Sequence, residues 1–241
     1  MKDSEVLELI GGRHRDRILD AYARLTAPPA ADRGTITRVL SDMLVQANGA
    51  AGLDGAALAR RQLEELGIEV AGDYFAPLTE RSATNDAIQR AIEDRSRFDR
   101  ALSTILDGDE DSIAMRIGRL ALSEAIESAR GVSSQYMRGS RKVDGWIREL
   151  DSDPCELCRW WHRDGRVWPA DHSMPTHQGC ACAQRWVRRA SASIRMVSEE
   201  GEKRSAERDR AGTLEDRRQM TRAEYEQRLE GTTDGDETPS T

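Results

Sequence analysis

The feature that most constrains this 241-residue chain is one stretch, Trp146 to Trp186. It holds all four cysteines, all five tryptophans and three of the four histidines. Its centre reads Asp153-Pro-Cys155-Glu-Leu-Cys158, then Asp164-Gly165-Arg-Val-Trp168-Pro169, then Pro175-Thr-His177-Gln-Gly-Cys180-Ala-Cys182. The pattern is C-x2-C, a gap, and H-x2-C-x-C. Two ligand pairs separated by roughly twenty residues have the spacing of a structural zinc site. A C-x2-C turn can aim two thiolates at one point about 2.3 Å from a metal. The second half offers His177, Cys180 and Cys182 for the remaining two places. Zinc takes four of the five candidates Cys155, Cys158, His177, Cys180 and Cys182, and spacing leaves open which four. His172 is a reserve ligand, and His162 reads as a surface residue.

The same cysteines could form disulfides. The opening Met1-Lys-Asp-Ser-Glu has no apolar targeting run, so a reducing compartment is expected, and there paired cysteines favour metal. The tryptophans read as a small core around the ion, because so short a module has too little aliphatic surface to stand alone.

Over the whole chain the composition, 38% hydrophobic and 33% charged residues, is that of thin, solvent-laced helices. No apolar run approaches the ~20 residues needed to cross a membrane. The formal charge of −7 argues against a surface that binds nucleic acid throughout. That charge is uneven. Arg130 to Arg195 holds twelve basic and seven acidic residues, net +5, while Ser198 to Thr241 holds eight and thirteen, net −5. A locally basic module beside an acidic tail can orient a protein against a partner or against DNA.

Along the chain, residues 4–26 read as a helix ended by Pro28-Pro29, with Gly11-Gly12 as a kink site. Thr35 or Thr37 is expected to cap a second helix, interrupted at the glycine-rich stretch 48–55 and resumed over 56–66, with Gly67 as its C-cap. Residues 83–106 form an amphipathic helix. Asp109 or Asp111 caps another, running to about Arg130, after which residues 131–141 read as a loop. Strands are expected at 143–150, 166–168 and 182–187. Residues 191–230 read as a charged helix and residues 231–241 as a disordered acidic tail. The expected fold is therefore mainly α: an elongated helical N-terminal region (1–78), a second region (79–190) ending in a small α+β zinc-knuckle-like module (143–190), and the charged C-terminal helix.

The order helix, Trp146, Asp-Pro-Cys-x-x-Cys, Asp-Gly with a short strand, Pro, and His-x-x-Cys-x-Cys resembles the MuF-like minor capsid proteins of tailed bacteriophages, the phage head morphogenesis family. The resemblance covers roughly residues 80–190. The family's helical Arg-Thr-Glu-like signature is replaced here by Leu122-Ser123-Glu124, and its His-Pro-x-Cys-Arg-Cys ending has Gln178-Gly179 and Ala181 instead. The resemblance implies a low-copy, non-enzymatic virion protein inside the phage head near the portal vertex. Its implied work is procapsid assembly and DNA packaging or ejection, with portal, major capsid or scaffold proteins as partners. Packaged DNA is a further expected partner, and a membrane is not.

Two other readings start from the same residues. Asp171-His172-Ser173-Met174-Pro175 resembles the start of an HNH-type endonuclease site, with His172 as general base and Asp171 orienting it. That pattern needs a downstream Asn or His, and none follows Cys182 before the charged segment. Alternatively the module binds DNA through Arg159, Arg163, Arg166, Arg185, Arg188 and Arg189, interleaved with Trp160, Trp161 and Trp186.

Overall fold

In the computed structural model, residues 1–70, Tyr74 and 85–188 are described, with side chains from residue 93 onward in the third helix. The expected charged helix, acidic tail and most of the 71–84 connector lie outside the described residues, as does Arg189.

The first helix, α1 (Asp3–Thr26), buries Leu7, Ile10, Gly11, His14, Ile18 and Ala21 at three- and four-residue spacing. Its start is closed by Glu5, whose carboxylate accepts from the Lys2 backbone N–H at 2.9 Å. The helix runs unbroken through Gly11, which lies against Ile126.

The second helix, α2 (Arg33–Glu65), is capped by Asp32 rather than by Thr35 or Thr37. The Asp32 carboxylate accepts from the Thr35 backbone N–H at 3.0 Å and from its hydroxyl at 2.7 Å. The expected break at 48–55 is absent, and α2 runs through it. The reason is packing. A Cβ at Gly55 would stand 2.1 Å from the Ala129 carbonyl oxygen, so glycine there lets two helix backbones meet. Each glycine costs a helix up to about 1 kcal/mol, and close burial offsets it. Helix α2 then ends as expected: Gly67 takes φ 60°, and the Ile68 N–H reaches the Leu63 carbonyl at 2.8 Å.

Helix α3 (Asn85–Leu106) contributes Phe98 and Leu102, both fully buried. Helix α4 (Glu110–Gly139) continues well past Arg130, so the expected 131–141 loop is mostly helix. Ser133, Ser134 and Met137 are buried on that added length, and the Ser134 hydroxyl donates to the Gln184 side chain. These polar residues read as loop but are covered by the sheet.

Strands β1 (Gly145–Glu149), β2 (Val167–Pro169) and β3 (Ala183–Val187) form an antiparallel sheet in the order β2-β1-β3. The three expected strands are present, β1 and β3 shorter than expected and β2 shifted by one residue. Register places Trp168, Trp146 and Trp186 in one row across the sheet. Trp146 and Trp186 pack with Ala59, Leu63, Ile68, Met137 and Val143. Trp146 and Trp186 thus join the sheet to the helices, while Trp161 lies beside the candidate ligand His177, with ring centroids 6.3 Å apart. Alternation along β1 buries Trp146 and Arg148 and leaves Ile147 and Glu149 half-covered.

All four long helices share a core of Ile18, Leu40, Leu44, Phe98, Leu102 and Ile117, so packing continues across residue 78. A second cluster carries Leu7, Ile10 and Ala125 onto Ala181 and Ala183. The beginning of the chain also grips the module: the Ser4 N–H donates to Glu149 at 2.8 Å, and the Ser152 N–H donates to Glu8 at 2.6 Å. The Asp3 carboxylate, 5% exposed, accepts from Arg61 and Gln62. Among the described residues no helix is long and apolar enough to cross a membrane.

Candidate metal centre

Cys155 is the N-cap of the short helix α5 (Glu156–His162), and its Sγ accepts from the Cys158 N–H at 3.5 Å. One turn of helix therefore sets both sulfurs on the same side, at the helix end that favours thiolates. On the other half of the motif, Gly179 at φ +81° turns the chain so that the Cys180 N–H meets the His177 carbonyl at 3.1 Å. That positive φ favours glycine over residues with a side chain. The Gly179 N–H donates to Ser123 at 3.0 Å, which fixes the turn to α4.

These two turns converge. His177 Nε2 lies 3.1 Å from Cys155 Sγ and 3.1 Å from Cys158 Sγ. Cys158 Sγ lies 3.5 Å from Cys180 Sγ. Cys155, Cys158 and His177 form one group of ligand atoms within 4.8 Å of each other, and Cys158, Cys180 and Cys182 form another. All five expected ligands are thus clustered, and Cys158 is common to both groups. The His177 Nδ1 is 3.1 Å from the Gln178 carbonyl. An Nδ1–H donated there leaves the Nε2 lone pair facing the sulfurs, the orientation a metal-binding imidazole needs.

Cys182 differs from the others. It is fully buried, and its Sγ lies 3.5 Å from the Asp151 carboxylate, which also accepts from the Ala181 N–H at 3.1 Å. A thiol donates to a carboxylate, whereas a thiolate would be repelled by it. The neighbouring Cys180 and burial push the Cys182 thiol upward. Burial pushes Cys158 up to about 12. Cys180 is pulled down to about 5 by the Cys182 thiol and by Arg130.

Two buried arginines, which spacing did not single out, surround the cluster. Arg130 of α4 donates to the carbonyls of Cys180 and Cys182 and pairs with Glu127 at 2.6 Å. Arg148 of β1 points at the sulfurs, with its Nη1 3.9 Å from Cys158 Sγ and 3.9 Å from Cys180 Sγ. Its place two residues after Trp146, on the same buried strand face, was the available signal. Sulfur and imidazole donors beside a buried guanidinium suit a soft, anionic metal–thiolate centre.

The other candidates lie elsewhere. His172 stacks on Trp168, with centroids 4.6 Å apart, and its carbonyl accepts from Trp146 Nε1 at 3.0 Å. His162 is half-buried, and burial and Arg148 lower its pKa. Neither joins the cluster. Arg159 and Arg185 are exposed, and Arg163 lies over Trp160, 4.1 Å from the ring centroid. Arg188 closes the end of α2, donating to the Leu66 and Gly67 carbonyls at 3.1 and 3.2 Å.

The chain matches no family model, no curated protein and no solved structure.

Proposed function

We propose that Cys155, Cys158, His177 and Cys180 hold one structural zinc ion, and that the knuckle so formed is the docking element of a non-enzymatic minor capsid protein of the phage head morphogenesis type. The observation that carries the metal reading is the convergence of Cys155, Cys158 and His177 from two separate turns, with Cys180 joined to them 3.5 Å from Cys158, each turn fixed by its own hydrogen bonds. The Asp151 contact sets Cys182 apart as a buried thiol beside the ion. The head-morphogenesis reading is supported by the order of motifs from α4 through Cys182. An architectural rather than hydrolytic role is supported by the position of His172, packed on Trp168 outside the cluster.

Zinc here supplies four strong bonds to a module too small to hold its loops otherwise, so binding and local folding are one event. Elemental analysis of the purified chain tests this: one zinc per chain is expected. Particles purified from the host are expected to carry the chain in low copy at the portal vertex. Its absence from particles would overturn the capsid assignment and leave the zinc reading standing. Divalent-metal-dependent nicking of DNA that disappears in His172→Ala would replace the assembly role with a nuclease.

A further inference from the structure

We propose that Arg148 is the built-in counter-charge of the metal centre, and that its single positive charge matches a centre of three thiolates and one imidazole. This rests on the zinc reading above. The Arg148 residue is 1% exposed. Among the described residues no carboxylate forms an ion pair with it. Arginine stays protonated in proteins, and an unpaired charge is costly to bury.

The surroundings of Arg148 name its counter-ion. Nη2 donates to the Pro175 carbonyl, the guanidinium carbon lies 5.1 Å from the Trp161 ring centroid, and Nε has no hydrogen-bond partner. Nη1 alone reaches groups that can carry negative charge, the sulfurs of Cys158 and Cys180. Zinc with three thiolates and a neutral imidazole carries one net negative charge, which Arg148 cancels. Four thiolates would carry two, one more than Arg148 cancels, and the Cys182 thiolate among them would face the Asp151 carboxylate at 3.5 Å. Arg130 does not alter the count, since Glu127 already pairs with it. The charge balance therefore selects His177 over Cys182 on grounds independent of spacing.

The test measures zinc affinity of the full chain by chelator competition, with the absorption of the cobalt-substituted protein reporting the ligand set. Arg148→Met is expected to bind zinc about 10–100-fold more weakly with its cobalt spectrum unchanged, and Arg148→Lys is expected to recover most of the loss. A charge role makes one further demand. Cys155→His leaves a neutral centre, so in that background Arg148→Met should cost little. An equal loss in both backgrounds, or a Lys variant as weak as the Met variant, would show that Arg148 acts through packing and overturn the inference. Should Arg148→Met alone fail to fold, recovery of folding and zinc binding in the Cys155→His pair supports the inference, and failure of the pair overturns it. A wild-type chain that binds no zinc defeats the underlying reading, whereas an Arg148→Met variant that binds as tightly as wild type defeats the inference alone.

Discussion

Arg130 donates to the carbonyls of both Cys180 and Cys182, but the Cys180 sulfur faces the guanidinium of Arg148, whereas the Cys182 sulfur meets the carboxylate of Asp151. One residue of separation thus decides which sulfur is suited to be a thiolate. Cys180→Ser and Cys155→Ser are expected to abolish stoichiometric zinc, and Cys182→Ser to retain it, each read by elemental analysis of the purified variant. The five candidates were legible from type and spacing, because C-x2-C and H-x2-C-x-C are local patterns. The choice among them was not, since it depends on Asp151 and Arg148, whose approach only the folded strand creates. His14 makes a second residue-scale prediction. It is 4% exposed, and neither ring nitrogen has a hydrogen-bond partner. Burial, then Arg13, holds its pKa below the ordinary 6.5, with Asp54 opposing. The unfolded chain therefore takes up the proton first, and stability falls as pH drops below about 6.5 towards the folded-state value. His14→Gln should flatten that part of a urea-stability profile relative to wild type.

At the scale of elements, helix existence was legible from three- and four-residue periodicity, while two boundaries were not. A glycine-rich stretch reads as a break, yet α2 passes through it because Gly55 seats on the Ala129 backbone. A Ser-rich stretch reads as a loop, yet Ser133 and Ser134 are buried at the end of α4. In both cases tertiary contact overrides local propensity. The two kinds of glycine separate cleanly in a substitution experiment. Gly55→Ala forces a side chain into backbone that has no room to yield, and should cost about 1–3 kcal/mol in denaturant unfolding. Gly49, with nothing within 4 Å of its would-be Cβ, should gain about 0.5–1 kcal/mol on replacement by Ala.

Over the whole molecule, the metal cluster and the helical core are separate packing groups, joined by the one face of β1 that carries Trp146 to the helices and Arg148 to the sulfurs. Cys158, Cys180 and Cys182 pack as their own small group, while Trp146 and Trp186 belong to the group with Ala59, Leu63 and Met137. Chelation should therefore melt the loops around Cys155 and His177 first. Far-UV circular dichroism is expected to keep most of its helical signal after chelation, with a lowered melting temperature and fluorescence changes from Trp160 and Trp161 on α5. Loss of the whole helical signal on chelation would show that the sheet and helices fold only with the ion.

The first eight residues reach across to the module, through Ser4 on Glu149 and Glu8 on Ser152. The chain's opening turns thus act as a hasp on the segment that leads into Cys155. Deleting them, or burdening them with a bulky fusion, would be felt as looser ion retention in a motif more than a hundred residues away, and a partner that pulled on this end could unlatch the knuckle without touching a single sulfur.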